Sequence, residues 1–178
     1  VETIRTRYNK TPAEYLDSLG LLAPDLLAAH CIASSETDLA LMAARGTTVL
    51  NCPRVFARTG KRAVFSRFAG AGVRTAIGTD GYNLDLLGEM NAAAMISKVI
   101  EERGDVANAP EIIDAVTRTP AAAIARPDLG TIRSGATADL TVVDLTHPHL
   151  QPLHDPRRAL VWLANRADID AVMVDGRL

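Results

Sequence analysis

Polar residues with side chains that could do chemistry follow three short apolar runs. His30 ends "LLAAH", Asn51 and Cys52 end "TTVLNC", and Asp80 ends "TAIGTD". An imidazole and a carboxylate brought together can bind a divalent metal and move protons during hydrolysis. Each residue also has a structural explanation, since a histidine at a strand end is often only hydrogen-bonded and Asp80 could cap a downstream turn. Their joint position after successive runs favours a shared site.

The elements that must position these side chains follow an alternating βα pattern up to about residue 125. The apolar runs over 25–30, 47–52 and 72–80 predict strands, the first of them buried, and they alternate with helical patterns. Parallel strands of such a fold present their carboxyl ends at one rim, where sites form. Helices are predicted over residues 1–8, 11–20, 34–46, 61–69, 85–103, 110–117 and 120–125.

Capping signals mark the ends of two of these helices. Thr11 followed by Pro12 is typical of a helix start, because proline fits the first helical turn. Ser35 and Asp38 have the spacing of a capping box, and Gly46 ends the same helix.

The pattern changes after residue 127. "LGTIRSGATADLTVVDL" places glycine turns around one β-branched strand, and "ALVWLA" and "IDAVMVDGRL" are predicted to continue the sheet. The sequence therefore predicts an α/β fold in two parts, a βα array over residues 1–126 and an incomplete β unit over residues 127–178.

Composition excludes several classes of protein. A net charge of -2 and a pI near 6.1 argue against nucleic acid as a partner. No apolar run reaches the roughly 18 residues of a membrane span, and no signal peptide is recognisable. Two cysteines are typical of a reducing cytoplasm, where we expect the protein to act. The chain begins at Val1 inside a predicted helix, so we expect it to be part of a longer protein.

Four segments in order carry a family resemblance. "AAHCIASSETDLALMAARGTTVLNCPRVFARTG", "GVRTAIGTDG", "LGTIRSGATADLTVVDL" and "VMVDGRL" resemble the back half of the metal-dependent amidohydrolase superfamily. The branch is that of nucleobase and adenosine-type deaminases, guanine deaminase and triazine hydrolases. Within it, "NCPRVFARTG" with "GTDGYNLDLLGEMNAAAMISKV" is most similar to hydroxyatrazine ethylaminohydrolase-like members.

The resemblance implies a fold and an activity. Residues 1–126 would be the C-terminal half of a TIM-type (β/α)8 barrel, from the helix after strand five through strand eight and the helices that follow. Residues 127–178 would be part of a small β-sandwich domain. One divalent metal, Zn²⁺ or Fe²⁺, would activate a water that displaces ammonia or an alkylamine from a nitrogen heterocycle. The substrate would be a small heterocyclic amine, and the protein a homodimer.

The resemblance also implies roles for the residues at the strand ends. Asp80 matches the eighth-strand aspartate, which holds the metal and accepts a proton. His30 matches the sixth-strand histidine, a catalytic residue beside the substrate. Asn51, Cys52 and Pro53 match the loop that, with His30, shapes the substrate pocket. The other metal ligands, an HxH pair and a fifth-strand histidine, are expected upstream of this segment, which alone should be inactive.

Other interpretations stay open at this point. The chain could be a binding domain with an open doubly wound sheet, in which Asp80 is only a cap, or a hydrolase-like protein that has lost catalysis. A cyclic-amide hydrolase with a bridged metal pair is the chemical alternative. Tyr82, Asn83 and Glu89 could line the pocket, although helical continuation makes Glu89 equally a structural residue.

Two further features have mainly structural explanations. "THPHLQPLHDP" holds His147, His149 and His154, which together suggest a metal site. The neighbouring prolines and the position after a predicted strand favour a solvated or interface loop. Cys31 is expected to pack in the core, since neighbouring strand residues point to opposite faces.

Overall fold

The computed structural model describes residues 1–81 and 83–178. Tyr82, expected near the pocket, lies outside the described residues. The first part of the chain alternates strands and helices, as predicted. Its elements are α1 (Glu2–Tyr8), α2 (Pro12–Ser18), β1 (Leu27–Ala29), α3 (Glu36–Arg45), β2 (Thr48–Asn51), α4 (Pro53–Ala57), α5 (Phe65–Gly70), β3 (Arg74–Ile77), α6 (Leu86–Glu101), α7 (Ala109–Val116) and α8 (Arg118–Ala123).

The three strands of this part form one parallel sheet in the order β1-β2-β3. The hydrogen bonding continues beyond the ends of the two outer strands. The His30 N–H donates to the Leu50 carbonyl oxygen at 2.9 Å, and the Gly78 N–H donates to the Asn51 carbonyl oxygen at 2.9 Å. The segments that lead to His30 and Asp80 are therefore both tied to the end of β2.

The predicted helix caps are confirmed. Thr11 forms a capping box with Glu14, and Ser35 forms one with Asp38. Gly46 ends α3 in the left-handed conformation, which glycine adopts without steric cost. These interactions involve residues three positions apart, which is why the sequence alone indicates them.

The helix predicted over residues 61–69 begins later, at Phe65. The preceding residues Ala63 and Val64 are buried, and the Ala63 carbonyl oxygen accepts a hydrogen bond from Asn51 Nδ2. This long-range contact holds the segment outside the helix. The short helix α4 was not predicted, although Pro53 occupies its favoured first position.

The core of the first part has two apolar clusters. One lies between the sheet and the helices that precede and connect its strands, and its buried members include Leu39, Met42, Val49 and Phe68. Burial of such side chains contributes about 1.5–3 kcal/mol each. The second cluster joins β3, α6 and α7 to the last helix of the chain and includes Met90, Ile112 and Val161.

Strand β1 is less buried than predicted. Leu27 is 39% exposed and Ala29 is exposed, with only Ala28 packed against the neighbouring cluster. Among the described strands, β1 pairs only with β2 and leaves its other edge open. The prediction of a buried strand was wrong for this chain, because Leu27 and Ala29 project from the face of the sheet opposite to Ala28 and that face is uncovered at β1.

The second part contains an antiparallel pair, β4 (Leu140–Val143) and β5 (Ile169–Met173), as the sheet pattern predicted. The prediction that "ALVWLA" forms a strand was wrong, because Pro156–Trp162 is a helix, α9. Asp155 caps it by accepting the N–H groups of Arg157 and Arg158, and Val161 is buried in the second cluster. The helix start at Pro156 and the burial of Val161 outweigh the strand preference of Val161 and Trp162.

None of the helices within residues 1–81 and 83–178 is both long enough and apolar enough to cross a membrane.

Candidate active site

His30 and Asp80 meet at the carboxyl ends of two strands. His30 Nε2 lies 3.4 Å from Asp80 Oδ2. The residues follow β1 and β3, which flank β2, so their backbones are separated by about two strand spacings of 4.8 Å each. The side chains bridge this gap across the end of β2. The shared rim expected from the sequence is therefore present in the structure.

The backbone at both residues lies in the left-handed region. His30 has φ 68°, Cys31 has φ 47° and Asp80 has φ 54°. Non-glycine residues adopt such angles at a cost, and they concentrate at functional sites. The two successive left-handed residues also end the strand alternation. Cys31 nevertheless packs against the first cluster, as expected, and burial raises the pKa of its thiol.

Asp80 does not cap a helix. The N-cap of α6 is Asp85, whose Oδ1 accepts the Gly88 N–H at 3.0 Å. Asp80 Oδ1 accepts the N–H of the adjacent Gly81 at 2.7 Å, while Oδ2 faces His30. The side chain is 41% exposed. The interpretation of Asp80 as only a helix cap is wrong, and its carboxylate is accessible at the rim.

The His30 ring is held by an aromatic neighbour. Its centroid lies 4.8 Å from that of Phe56, with the rings edge to face. Within the described chain His30 Nδ1 is buried without a hydrogen-bond partner. Phe56 lies on α4 and was not identified from the sequence. The signal that could have identified it is Pro53, which marks a helix start three residues earlier.

The three pocket residues expected from the β2 loop are buried. Asn51 is fully buried, its Nδ2 donates to the Ala63 carbonyl oxygen at 3.2 Å, and Cys52 and Pro53 are also buried. Asn51 shares a strand face with Val49, which packs in the first cluster. Contact of these side chains with substrate stays a prediction, and the structure shows that Asn51 also ties the end of β2 to the segment before α5.

Behind the rim, Arg54 links α4 to α6. Its backbone N–H donates to Glu89 Oε2 at 3.1 Å, and its Nη1 lies 3.0 Å from Asp85 Oδ2. Glu89 is 2% exposed, and burial raises the pKa of its carboxyl although Arg54 opposes that shift. A Cβ at Gly88 would overlap the Arg54 guanidinium. Glu89 is therefore a structural residue, whereas Asn83 is exposed near Asp80.

We expect Arg54→Met in the full-length protein to lower the free energy of unfolding by about 1–3 kcal/mol. The substitution keeps the backbone N–H bond but removes the guanidinium, whose Nε lies 3.8 Å from Oε1 of the buried Glu89 and whose Nη1 contacts Asp85. Urea denaturation measures this loss. Arg103→Met is the matched control, since it breaks an exposed pair with Asp105, which should cost less than about 1 kcal/mol. A double-mutant cycle with Glu89→Gln tests the coupling. If Arg54→Met lowered the free energy of unfolding equally in wild type and in the Glu89→Gln variant, the coupling between Arg54 and Glu89 would be contradicted.

The pair at the rim has donor groups that suit a divalent metal. A carboxylate oxygen and an imidazole nitrogen are ligand types that Zn²⁺ and Fe²⁺ accept. Asp80 Oδ2 accepts no hydrogen bond from the described residues other than the close approach of His30. The chemistry of the donor set therefore fits a metal at this rim, with Asp80 as a ligand.

Sequence relatives of the chain are nucleoside deaminases. The 5-methylthioadenosine/S-adenosylhomocysteine deaminase of Pyrococcus furiosus is 36% identical over 183 residues, which cover 100% of the chain and 43% of that protein. The protein of the same name from Moorella thermoacetica is 35% identical over 184 residues, again 100% of the chain and 43% of the relative. The chain thus spans less than half the length of these curated relatives.

Solved structures with the same fold include two zinc proteins. An adenosine deaminase from Xanthomonas campestris with bound zinc matches with a TM-score of 0.93 and 31% identity, over 99% of the chain and 42% of that structure. A mutant of atrazine chlorohydrolase from Arthrobacter aurescens TC1, with zinc and atraton, matches with a TM-score of 0.86 and 25% identity, over 97% and 40%. The model of the amidohydrolase family matches residues 1–178, and the chain therefore belongs to the amidohydrolase family.

Proposed function

We propose that this chain is part of a metal-dependent hydrolase that releases ammonia from an adenosine-type nitrogen heterocycle. The observation that carries the proposal is the 3.4 Å approach of His30 Nε2 to Asp80 Oδ2 at the ends of β1 and β3. In a member of the amidohydrolase family, this pair places a metal ligand and a hydrogen-bonding imidazole where parallel α/β folds bind their substrates.

The proposed architecture is half of a (β/α)8 barrel, residues 1–126, followed by part of a small β-sandwich, residues 127–178. The described strands of the parallel sheet follow one another in sequence order without reversal. Barrels are wound in this way, whereas a doubly wound sheet reverses its strand order at the ligand site. The open edge of β1 also supports the proposal, because a preceding barrel strand would cover it. The separate β4–β5 pair fits a second unit.

In the proposed site Asp80 would hold the metal through Oδ2, and upstream histidines would complete the ligand set. The metal, when bound, supplies Lewis acidity, which lowers the pKa of a water from about 15.7 towards 7. Zn²⁺ is the first candidate, since zinc is bound in both of the solved relatives described above.

The chain's own residues would move the protons and orient the substrate. Asp80 takes the proton that the attacking water loses and passes it to the departing amine, so that amine and water become carbonyl product and ammonia. His30 Nε2 donates a hydrogen bond to the oxygen or ring nitrogen that gains negative charge. Phe56 fixes the plane of the imidazole. The Arg54 network holds α4 and α6 on either side of this arrangement.

An adenosine-type ring is favoured over a triazine. Identity reaches 36% with a 5-methylthioadenosine/S-adenosylhomocysteine deaminase and 31% with the adenosine deaminase, against 25% with the atrazine chlorohydrolase. In this proposal the loop formed by Asn51, Cys52 and Pro53, whose side chains are buried, shapes the pocket with His30. Exposed groups such as Asn83 and the upstream half supply further contacts to the purine.

The zinc-loaded full-length protein is assayed for ammonia release with 5-methylthioadenosine, S-adenosylhomocysteine and adenosine. It is assayed in parallel with atrazine and hydroxyatrazine for release of chloride or alkylamine, because these triazines carry no free amino group. We expect ammonia and the corresponding inosine-type product from at least one of the nucleosides. Turnover of the triazines alone would instead assign the protein to the triazine hydrolases. Turnover of none of these compounds, with metal bound, would overturn the assignment to adenosine-type rings.

A further inference from the structure

Side-chain atoms that could bind a metal ion converge at one end of the β4–β5 pair. This cluster is distinct from His30 and Asp80. His147 Nδ1 lies 2.7 Å from Asp168 Oδ1, and His149 Nε2 lies 3.1 Å from Asp168 Oδ2. The ligand atoms of these three residues all lie within 4.8 Å of one another. His147 and His149 belong to the segment predicted to be a solvated or interface loop, whereas Asp168 lies 21 and 19 positions further along the chain.

The shared carboxylate is buried and fixed in place. The Asp168 side chain has 0% exposure, and its Oδ2 accepts the backbone N–H of Asn165 at 2.8 Å and the Asn165 Nδ2 at 3.0 Å. The Asp144 N–H donates to the Asp168 carbonyl oxygen at 2.8 Å, which ties the residue to the end of β4. Among the described residues, the hydrogen-bond partner of Asp168 Oδ1 is His147.

The outer nitrogen of His147 faces a second carboxylate. His147 Nε2 lies 3.5 Å from Asp144 Oδ2, while Asp144 Oδ1 accepts the Thr146 N–H at 2.8 Å and its hydroxyl at 2.7 Å. Histidines that bind metal through one nitrogen commonly direct the other towards a carboxylate, which fixes the ring and increases its basicity. Asp144 is positioned to do this for His147.

We propose that His147, His149 and Asp168 bind a Zn²⁺ ion in a site of their own, independent of His30 and Asp80. Two imidazoles and one carboxylate are a ligand set that Zn²⁺ accepts, with water in the remaining position. The histidine side chains are 40% and 45% exposed, so water and the ion can reach them.

The distances leave room for the ion with little rearrangement. Two donors on one Zn²⁺, with bonds of roughly 2.0–2.2 Å, lie about 3.3–3.6 Å apart in a tetrahedral arrangement. The two contacts to Asp168 are 2.7 and 3.1 Å, so they must lengthen by about 0.2–0.9 Å as the cation replaces a shared proton, while the ligand atoms that are furthest apart, within 4.8 Å of each other, must move closer. Bound zinc would crosslink the loop after β4 to the start of β5 and stabilise this unit by mass action.

Zinc counting tests the proposal in the full-length protein. Wild type, His149→Gln and the control His154→Ala are dialysed to equilibrium against the same buffered free Zn²⁺, and zinc per chain is measured by plasma mass spectrometry. We expect His149→Gln to hold about one zinc fewer than wild type. His154 lies exposed in the same loop and outside the cluster, so His154→Ala should match wild type.

A second variant and a second readout keep the test decisive if His149→Gln folds poorly. Asp144→Asn retains the three ligands and should weaken zinc binding at this site by roughly 10–100-fold. Melting curves should show that added Zn²⁺ stabilises wild type more than Asp144→Asn, whereas the two should melt alike in chelator. Equal zinc contents in wild type and a folded His149→Gln protein would overturn the proposal. So would equal stabilisation of wild type and Asp144→Asn by added Zn²⁺. In either case the three residues would form only a hydrogen-bonded network.

Discussion

Asp80→Ala in the full-length protein is expected to abolish turnover and to lower the content of bound metal. The substitution removes the carboxylate oxygen that faces His30 Nε2 at 3.4 Å. It deletes both the proposed metal ligand and the proposed proton acceptor, and proton transfer alone is worth about 10²–10⁴-fold in rate. We therefore expect kcat/KM to fall by at least about 10³-fold. Steady-state ammonia release and metal analysis of the same preparation provide the two readouts.

Asp105→Asn is the control for general effects of removing a carboxylate. Asp105 pairs with Arg103 on the surface, and its side chain is 71% exposed. This variant should retain the wild-type rate and metal content. Full activity and normal metal loading in Asp80→Ala would contradict the assignment of Asp80. Loss of activity with unchanged metal would restrict the role of Asp80 to proton transfer.

His30→Ala is expected to lose turnover while it keeps most of its metal. In the proposed mechanism His30, beside Asp80, contributes a hydrogen bond to the developing charge, a contribution worth roughly 10²–10³-fold. The kcat should therefore fall by about that factor, with metal per chain close to wild type. Measuring both kcat and metal content distinguishes His30→Ala, which should lose only the rate, from Asp80→Ala, which should lose both.

Cys31→Ala is the matched control for His30→Ala, because Cys31 is the adjacent residue, shares the left-handed backbone and packs, half-buried, against the first cluster. It should lose some stability and little activity. His30→Gln should recover part of the rate, since an amide can still donate a hydrogen bond. Metal loss in His30→Ala equal to that in Asp80→Ala would make His30 a ligand and contradict its proposed role.

Much of the fold could be predicted from the sequence because the determining interactions are local. Capping boxes at Thr11 and Ser35 and the left-handed glycine that ends α3 act within a few residues. The alternation of strands and helices depends on apolar periodicity, which is also local. The rim position of His30 and Asp80 followed from this alternation, since parallel strands end on the same side of a sheet.

The contacts that define the sites required the tertiary structure. The burial of Asn51 depends on Ala63, and the orientation of the His30 ring depends on Phe56, which lies on a helix that was not predicted.

What the sequence by itself determined was the order of the elements, their caps and the strand ends that carry His30 and Asp80. Asp155 and Pro156 mark the start of α9 locally, but the tertiary structure decided that this segment is a buried helix, because Val161 packs between distant elements. It also decided that His147 and His149 meet Asp168, 21 and 19 positions away. The physical reason is that burial and side-chain convergence depend on which distant segments pack together, whereas periodicity and capping depend only on neighbours along the chain.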